Sequence, residues 1–311
     1  MSNVTQAETE VGATVPTKTK CHIYAVGGNS ISTGPIQYNN DVGGVQGLTA
    51  PMRTKYWDAL HDHVWRLHTT QFGQNFAVGN FQPRQVQKLD EITYNTPETY
   101  AMIYSSPMIV FPRLRELYSN SIDIGFCHAY GSGTGFRDIA TVNWNAAEPD
   151  PYYGTLNLTK QLSRQLDLIK KHMEAMGYDV EVKGILMMGQ SVIDVNDLVA
   201  AAYSKAQIKT DITAVVNYFR TTLGYTDIPF YFTETTTFAL YPAECAVWNE
   251  AVTELNTELG NIYIQYPREW QVLGPDNTHI DGRTGVLCWG EGAETNGHKN
   301  MAELIHSIET A

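Results

Sequence analysis

Short apolar, β-prone runs alternate with longer segments of helical period along most of this chain. Cys21-His22-Ile23-Tyr24-Ala25-Val26 is the first such run, and it stops at Gly27-Gly28. Ser121–Ala129, Val180–Met188, Pro229–Thr233 and Asn261–Gln265 follow, each of strand length. Between them, recurring apolar positions predict helices. Thr54–His68 carries Trp57, Leu60, Val64, Trp65 and Leu67, and Pro107–Tyr118 turns Leu114 and Leu117 inward. The strongest stripe, Leu158, Leu162, Leu166, Ile169 and Met173, runs through Leu156–Met176 and ends at Gly177. Further helices are expected at Ala200–Leu223, closed by Gly224, at Glu244–Leu259 with Val247, Ala251, Val252 and Leu255 on one face, and at Met301–Ile308. Strands that alternate with helices and carry apolar residues continuously are buried on both faces. The pattern therefore predicts a three-layer α/β/α domain around a five-stranded parallel sheet.

The remainder reads as connections. Tyr38–Gly47 has the glycines and the Asn-Asn-Asp of a surface loop, and Phe72–Tyr100, rich in Gln, Asn and aromatics without a period, reads as an insertion over the carboxyl edge of the sheet. Residues 1–19 are polar and Thr-rich, the composition of a tail or linker, which leaves 20–311 as a single domain with its insertion near 70–100. No internal repeat interrupts it.

Composition narrows the partners. The chain has 311 residues, 43% hydrophobic and 17% charged, with a formal net charge of -12, so the clustered cations that hold a phosphate backbone are missing and no nucleic-acid partner is expected. No run of eighteen apolar residues and no signal peptide is found, so no membrane partner is expected; a cytoplasmic protein and a domain of a phage tail or surface protein both fit. Cys21, Cys127, Cys245 and Cys288 lack C-x-x-C spacing and read as buried thiols. His61 and His63 form an H-x-H pair, but two positions apart on the predicted helix do not share a face, so no metal site is expected.

The strand exits hold the candidate chemistry. Gly27-Gly28-Asn29-Ser30 lets the chain turn sharply and present a small hydroxyl at the carboxyl edge, where open α/β sheets carry their sites. A helix N-cap at Ser30 or Ser32 is the plainer reading of the same residues. A phosphate cradle is disfavoured, since Pro35 follows Gly34 where a P-loop needs Lys, and G-x-G-x-x-G is absent. The second exit, Tyr130-Gly131-Ser132-Gly133-Thr134-Gly135, is also rich in glycine; the third is Gly189-Gln190-Ser191; Asp276-x-x-His279 comes after the fifth strand. Asp276 and His279 are spaced so that a carboxylate can meet an imidazole within one turn, although a solvated loop would read the same. Ester cleavage needs a nucleophile, a base, a group orienting the base, and donors for the oxyanion, and each has a candidate here.

Together these blocks resemble the SGNH (GDSL-type) hydrolases, within them the sialate O-acetylesterase and acetylxylan esterase group of carbohydrate esterases. Gly28-Asn29-Ser30-Ile31-Ser32-Thr33-Gly34 resembles the family's Gly-Gln-Ser-Asn-x-x-Gly, and also Gly-Asp-Ser-Leu with Asn for Asp and Ile for Leu. Ile124-Gly125 through Gly131-Ser132-Gly133-Thr134 resembles the second block with one residue added. Gly184 through Gly189-Gln190-Ser191-Val192-Ile193-Asp194 resembles the third without its Trp and Glu, and Asp276 to His279 is the Asp-x-x-His block. The resemblance runs from about Cys21 to the last helix. It implies Ser30 as nucleophile, His279 as general base and acid, and Asp276 as its orienter. The oxyanion donors would be the backbone N–H of Ser30, that of Gly133 with Gly131 as rival, and the Gln190 side chain. It implies removal of acetyl groups from a carbohydrate or another small ester, with no metal or organic cofactor. Because the third block is altered, a carbohydrate-binding module that has lost the chemistry is the alternative.

Overall fold

A computed structural model of the chain describes residues 18–29, 36–37, 50–58, 61–69, 76–81, 103–104, 106–131, 133–137, 142–146, 156–235, 239–266, 287–294 and 296–311. Seven strands form the main sheet: β1 (Lys20–Gly28), β2 (His61–Thr69), β3 (Phe76–Phe81), β4 (Asp123–Tyr130), β5 (Asp179–Met188), β6 (Phe230–Thr233) and β7 (Ile262–Gln265). Their order is β7-β6-β5-β1-β4-β2-β3. The first six are parallel, and β3 pairs antiparallel with β2. Six helices of eight or more residues are described: α1 (Pro107–Leu117), α2 (Leu158–Ala175), α3 (Gln190–Val199), α4 (Lys205–Asn217), α5 (Pro242–Leu259) and α6 (Met301–Glu309).

Alternation along β1 divides the core. Cys21, Ile23 and Ala25 face one apolar cluster with Leu162, Leu166 and Ile169 of α2, Ile208 and Ile212 of α4, and Trp248 and Leu255 of α5. Tyr24 and Val26 face the other, with Ile109, Phe111 and Leu114 of α1 and Met301, Ala302 and Ile305 of α6. Helices thus cover both faces, which is the expected three-layer α/β/α arrangement. All five residues of the α2 stripe are fully buried, Asn157 caps its first turn through Lys160 N, and Gly177 follows it at φ +92°. All four cysteines are free, buried thiols.

Three expectations need correction. The sheet has seven strands, not five, because the predicted Thr54–His68 helix is helical only to Asp58, after which His61–Thr69 is β2. Val64 points into the α1 cluster while Trp65 and Leu67 pack on the α2 side, so the apolar residues that suggested a helical stripe are the two faces of a strand. Within the expected insertion, Phe76–Phe81 adds the edge strand; the rest of that stretch, and the Tyr38–Gly47 loop, lie outside the described residues. The Ala200–Leu223 helix begins only at Lys205, because Ala201 adopts a left-handed φ of 53° and ends α3, a helix the sequence reading did not separate from the strand exit. On β2, moreover, the pairing shifts register between His61 and Trp65, so the two rings have different neighbours: His63 Nδ1 lies 3.0 Å from Asp123 Oδ1, while His61 sits by Glu116 and Lys55, and the described residues hold no group of three metal-ligating side chains.

Candidate active site

The five strands expected from the sequence lie in the order second, first, third, fourth, fifth, so the chain reverses direction between β1 and β5. Such a switch point leaves a crevice at the carboxyl ends of the two strands, where ligands of open α/β sheets bind. Register makes this edge level. Gly28 pairs with Tyr130 on one side and Met188 on the other, Phe232 with Met187, and Thr233 with Gln265. Asn29, Gly131, Gly189 and Glu234 therefore leave the sheet side by side.

Hydrogen bonds tie these exits together. Asn29, 1% exposed, donates through Nδ2 to Gly189 O at 2.6 Å and to Thr134 O at 3.4 Å, and its backbone N–H reaches Met188 O at 3.3 Å. Gly131 N donates to Gly28 O at 3.1 Å, Thr134 Oγ1 to Gly131 O at 2.7 Å, and Gly189 N to Thr233 Oγ1 at 3.1 Å. The indole of Trp144 lies against Gly27, and a Cβ there would sit 2.5 Å from the ring and 2.8 Å from Met187 Sδ. That glycine is needed for space, since the end of β1 passes under a buried tryptophan.

Ser30, Asp276 and His279 lie outside the described residues. What is described brackets them: Ser30 follows the clamped Asn29, and the segment holding Asp276 and His279 leaves the edge at Gln265, whose Nε2 donates to Cys288 O at 3.3 Å where the chain has returned. Gln190 and Gly133 are described. Gly189 is left-handed at φ 94° and turns the chain into α3, so Gln190 opens that helix beside the Asn29 turn. The Gln190 side chain is 1% exposed, and neither its Nε2 nor its Oε1 has a hydrogen-bond partner; the neighbouring buried Ser191 Oγ has none either. Gly133 is exposed at φ 69° with open space around its Cβ position. Gly131 differs, because its N–H is already committed to Gly28 O.

One turn along α3 from Gln190, Asp194 is completely buried and braces the second exit. Its Oδ1 accepts from Phe136 N at 2.8 Å and its Oδ2 from Trp248 Nε1 at 3.2 Å, while a Cβ on Gly135 would lie 2.3 Å from Oδ1. Burial lifts its pKa from 3.8 to about 7, outweighing those donors. His128, two residues before the end of β4, is also buried; desolvation, with Arg66 adding to it, lowers its pKa to about 3, so it stays uncharged near neutral pH. Sequence reasoning missed the clamp made by Asn29, Thr134 and Thr233, whose only sequence signal was position at a strand exit.

No protein-family profile and no curated protein sequence matches the chain. Solved structures do. A protein of Arabidopsis thaliana aligns at a TM-score of 0.59 and 14% identity, over 94% of this chain and 99% of that one. NanS aligns at 0.54 and 14% identity, over 95% and 96%. A carbohydrate acetylesterase from Xanthomonas citri matches more loosely, at 0.47 and 11%, over 91% of this chain and 54% of that one. At these identities the likeness is one of architecture: the chain has the three-layer α/β/α fold that its resemblance to the SGNH hydrolases implies.

Proposed function

We propose that the protein is a serine esterase that removes O-acetyl groups from a carbohydrate. Ser30 Oγ attacks the acetyl carbonyl while His279, held in the right tautomer by Asp276, takes its proton. The sugar hydroxyl leaves with that proton, and a water activated by His279 then releases acetate from the acyl-enzyme. The oxyanion formed in each step is met by the Ser30 N–H, the Gly133 N–H and the Gln190 amide. No metal or organic cofactor enters these steps.

The observation that carries this reading is the buried, unpartnered Gln190 amide, on the residue after the Gly189 carbonyl that Asn29 holds. A buried amide without partners is costly, about 1–3 kcal/mol for each unmet polar group, unless a ligand supplies the missing bond. An oxyanion at the switch point would do so. The spent N–H of Gly131 favours Gly133 as the backbone donor of the second exit.

The test is acetate release from a panel of acetylated glycans by wild type and Ser30→Ala, with fluorophosphonate labelling of Ser30 alongside. Release and labelling by wild type, both lost in the variant, are expected. Glycan binding without labelling would instead favour a binding module that has lost its chemistry, and unimpaired hydrolysis by Ser30→Ala would remove the nucleophile from the scheme.

A further inference from the structure

The residue before the candidate nucleophile does work that its place in the motif does not explain. Asn29 Nδ2 meets two acceptors, both backbone carbonyl oxygens: Gly189 O at 2.6 Å and Thr134 O at 3.4 Å. Gly189 is the residue before Gln190, and Thr134 the residue after Gly133. Each acceptor is fixed in turn. Gly189 is held through its own N–H by Thr233 Oγ1 at 3.1 Å, and Thr134 is held by its Oγ1 bond to Gly131 O at 2.7 Å and by the Trp144 indole N–H, which donates to its Oγ1 at 3.4 Å. One side chain therefore links the loop carrying each candidate oxyanion donor to the end of β1, from which Ser30 follows.

We propose that Asn29 is the positioning residue of this site, setting where the end of β1, and so Ser30 after it, stands relative to Gln190 and Gly133, and that position 29 must supply a donor. The proposal rests on the reading of Ser30 as nucleophile. A carbonyl oxygen only accepts, and an amide nitrogen brings two hydrogens, one for each. An ionised aspartate, the residue of the Gly-Asp-Ser-Leu version of the block, would bring none and would set a negative oxygen against two others. The Asn in this chain is matched to the carbonyls that two neighbouring strand exits turn toward it. Small misplacements of reacting groups are expensive; about 1 Å can lower the rate a hundredfold.

The experiment compares Asn29→Ala, Asn29→Asp and Asn29→Gln, each also combined with Gln190→Ala, using p-nitrophenyl acetate turnover and amide hydrogen exchange of peptides covering 131–137 and 186–192. For Asn29→Ala, kcat should fall roughly 30- to 100-fold at near-constant KM. Asn29→Asp should fall at least as far, and Asn29→Gln, which keeps the donor, should recover part of the loss. Adding Gln190→Ala to Asn29→Ala should cost much less than the product of the two single losses, because the second change removes the group that the first had misplaced. Exchange in both peptides should quicken in Asn29→Ala while the rest of the sheet keeps its protection. Near wild-type turnover by Asn29→Asp, fully multiplicative losses, or unchanged exchange would each overturn the proposal. If Asn29→Asp does not fold, the alanine cycle and its exchange pattern decide. A wild-type protein with no hydrolysis and no Ser30 labelling would sink the esterase reading, whereas quickened exchange in Asn29→Ala would still establish the clamp.

Discussion

Replacing Asp194 by Asn should change how stability responds to pH. The carboxyl is fully buried, and desolvation raises its pKa from 3.8 to about 7 against the pull of the Trp248, Phe136 and Arg137 N–H donors, with Asp197 adding to the rise. In the unfolded chain the group ionises near 3.8. Between those two values the native state keeps a proton that the unfolded state has lost, so stability contributed here falls as pH rises through the window and levels off above about 7. A shift of about three units is on the order of 4 kcal/mol at about 1.4 kcal/mol per unit. Asn does not titrate, so the stability of the variant minus that of wild type should climb by up to about 4 kcal/mol from about pH 4 to about pH 8. That climb rides on a pH-independent loss of about 1–3 kcal/mol, because the Asn amide turns a donor toward donors. The neighbouring groups Asp197, Arg137, Tyr203 and Asp211 are common to both proteins and cancel in the difference. Urea unfolding followed by circular dichroism across that range, at constant m-value, measures it. A difference that stays flat to within about 0.5 kcal/mol would refute the claim that burial outweighs the donors at Asp194.

Three further outcomes follow from the described geometry. Gln190→Ala should lower kcat about a hundredfold or more on an acetyl ester while leaving the melting temperature near wild type, as steady-state kinetics beside thermal unfolding will show. Gly27→Ala should destabilise by about 1–3 kcal/mol, since its Cβ would press on the Trp144 ring at 2.5 Å; a calorimetric melting point at the wild-type value would contradict that crowding. Glu309, with 4% of its side chain exposed, accepts from Tyr24 Oη at 2.7 Å and from Tyr118 Oη. Glu309→Gln should leave one hydroxyl poorly met and lower the urea midpoint by the equivalent of about 1–3 kcal/mol.

The central strands were legible because burial on both faces needs continuous apolar runs, which few other elements show. Strand β2 was not, since Val64, Trp65 and Leu67 satisfy a helical and an alternating pattern equally over so short a length. The break at Ala201 was hidden for another reason. A non-glycine residue at φ 53° leaves no mark in composition, whereas Gly177 and Gly224 announced the ends of their helices. At the site, position at a strand exit was readable, and it singled out Ser30, Gly133 and Gln190. The side-chain-to-carbonyl bonds of Asn29 were not, because a carbonyl acceptor has no residue type of its own. The same holds for the choice between Gly131 and Gly133, which turns on a backbone bond to Gly28.

The pairing of Tyr24 with Glu309 joins residues 285 positions apart in the sequence. A nascent chain emerging from the ribosome can raise most of the sheet and the α2 side early, and α1 can set Phe111 against Tyr24 and Phe126, but this second cluster stays incomplete until Met301, Ala302 and Ile305 have been synthesised. For that interval the protein displays a partly covered apolar flank, so chaperone demand should last until α6 has been made.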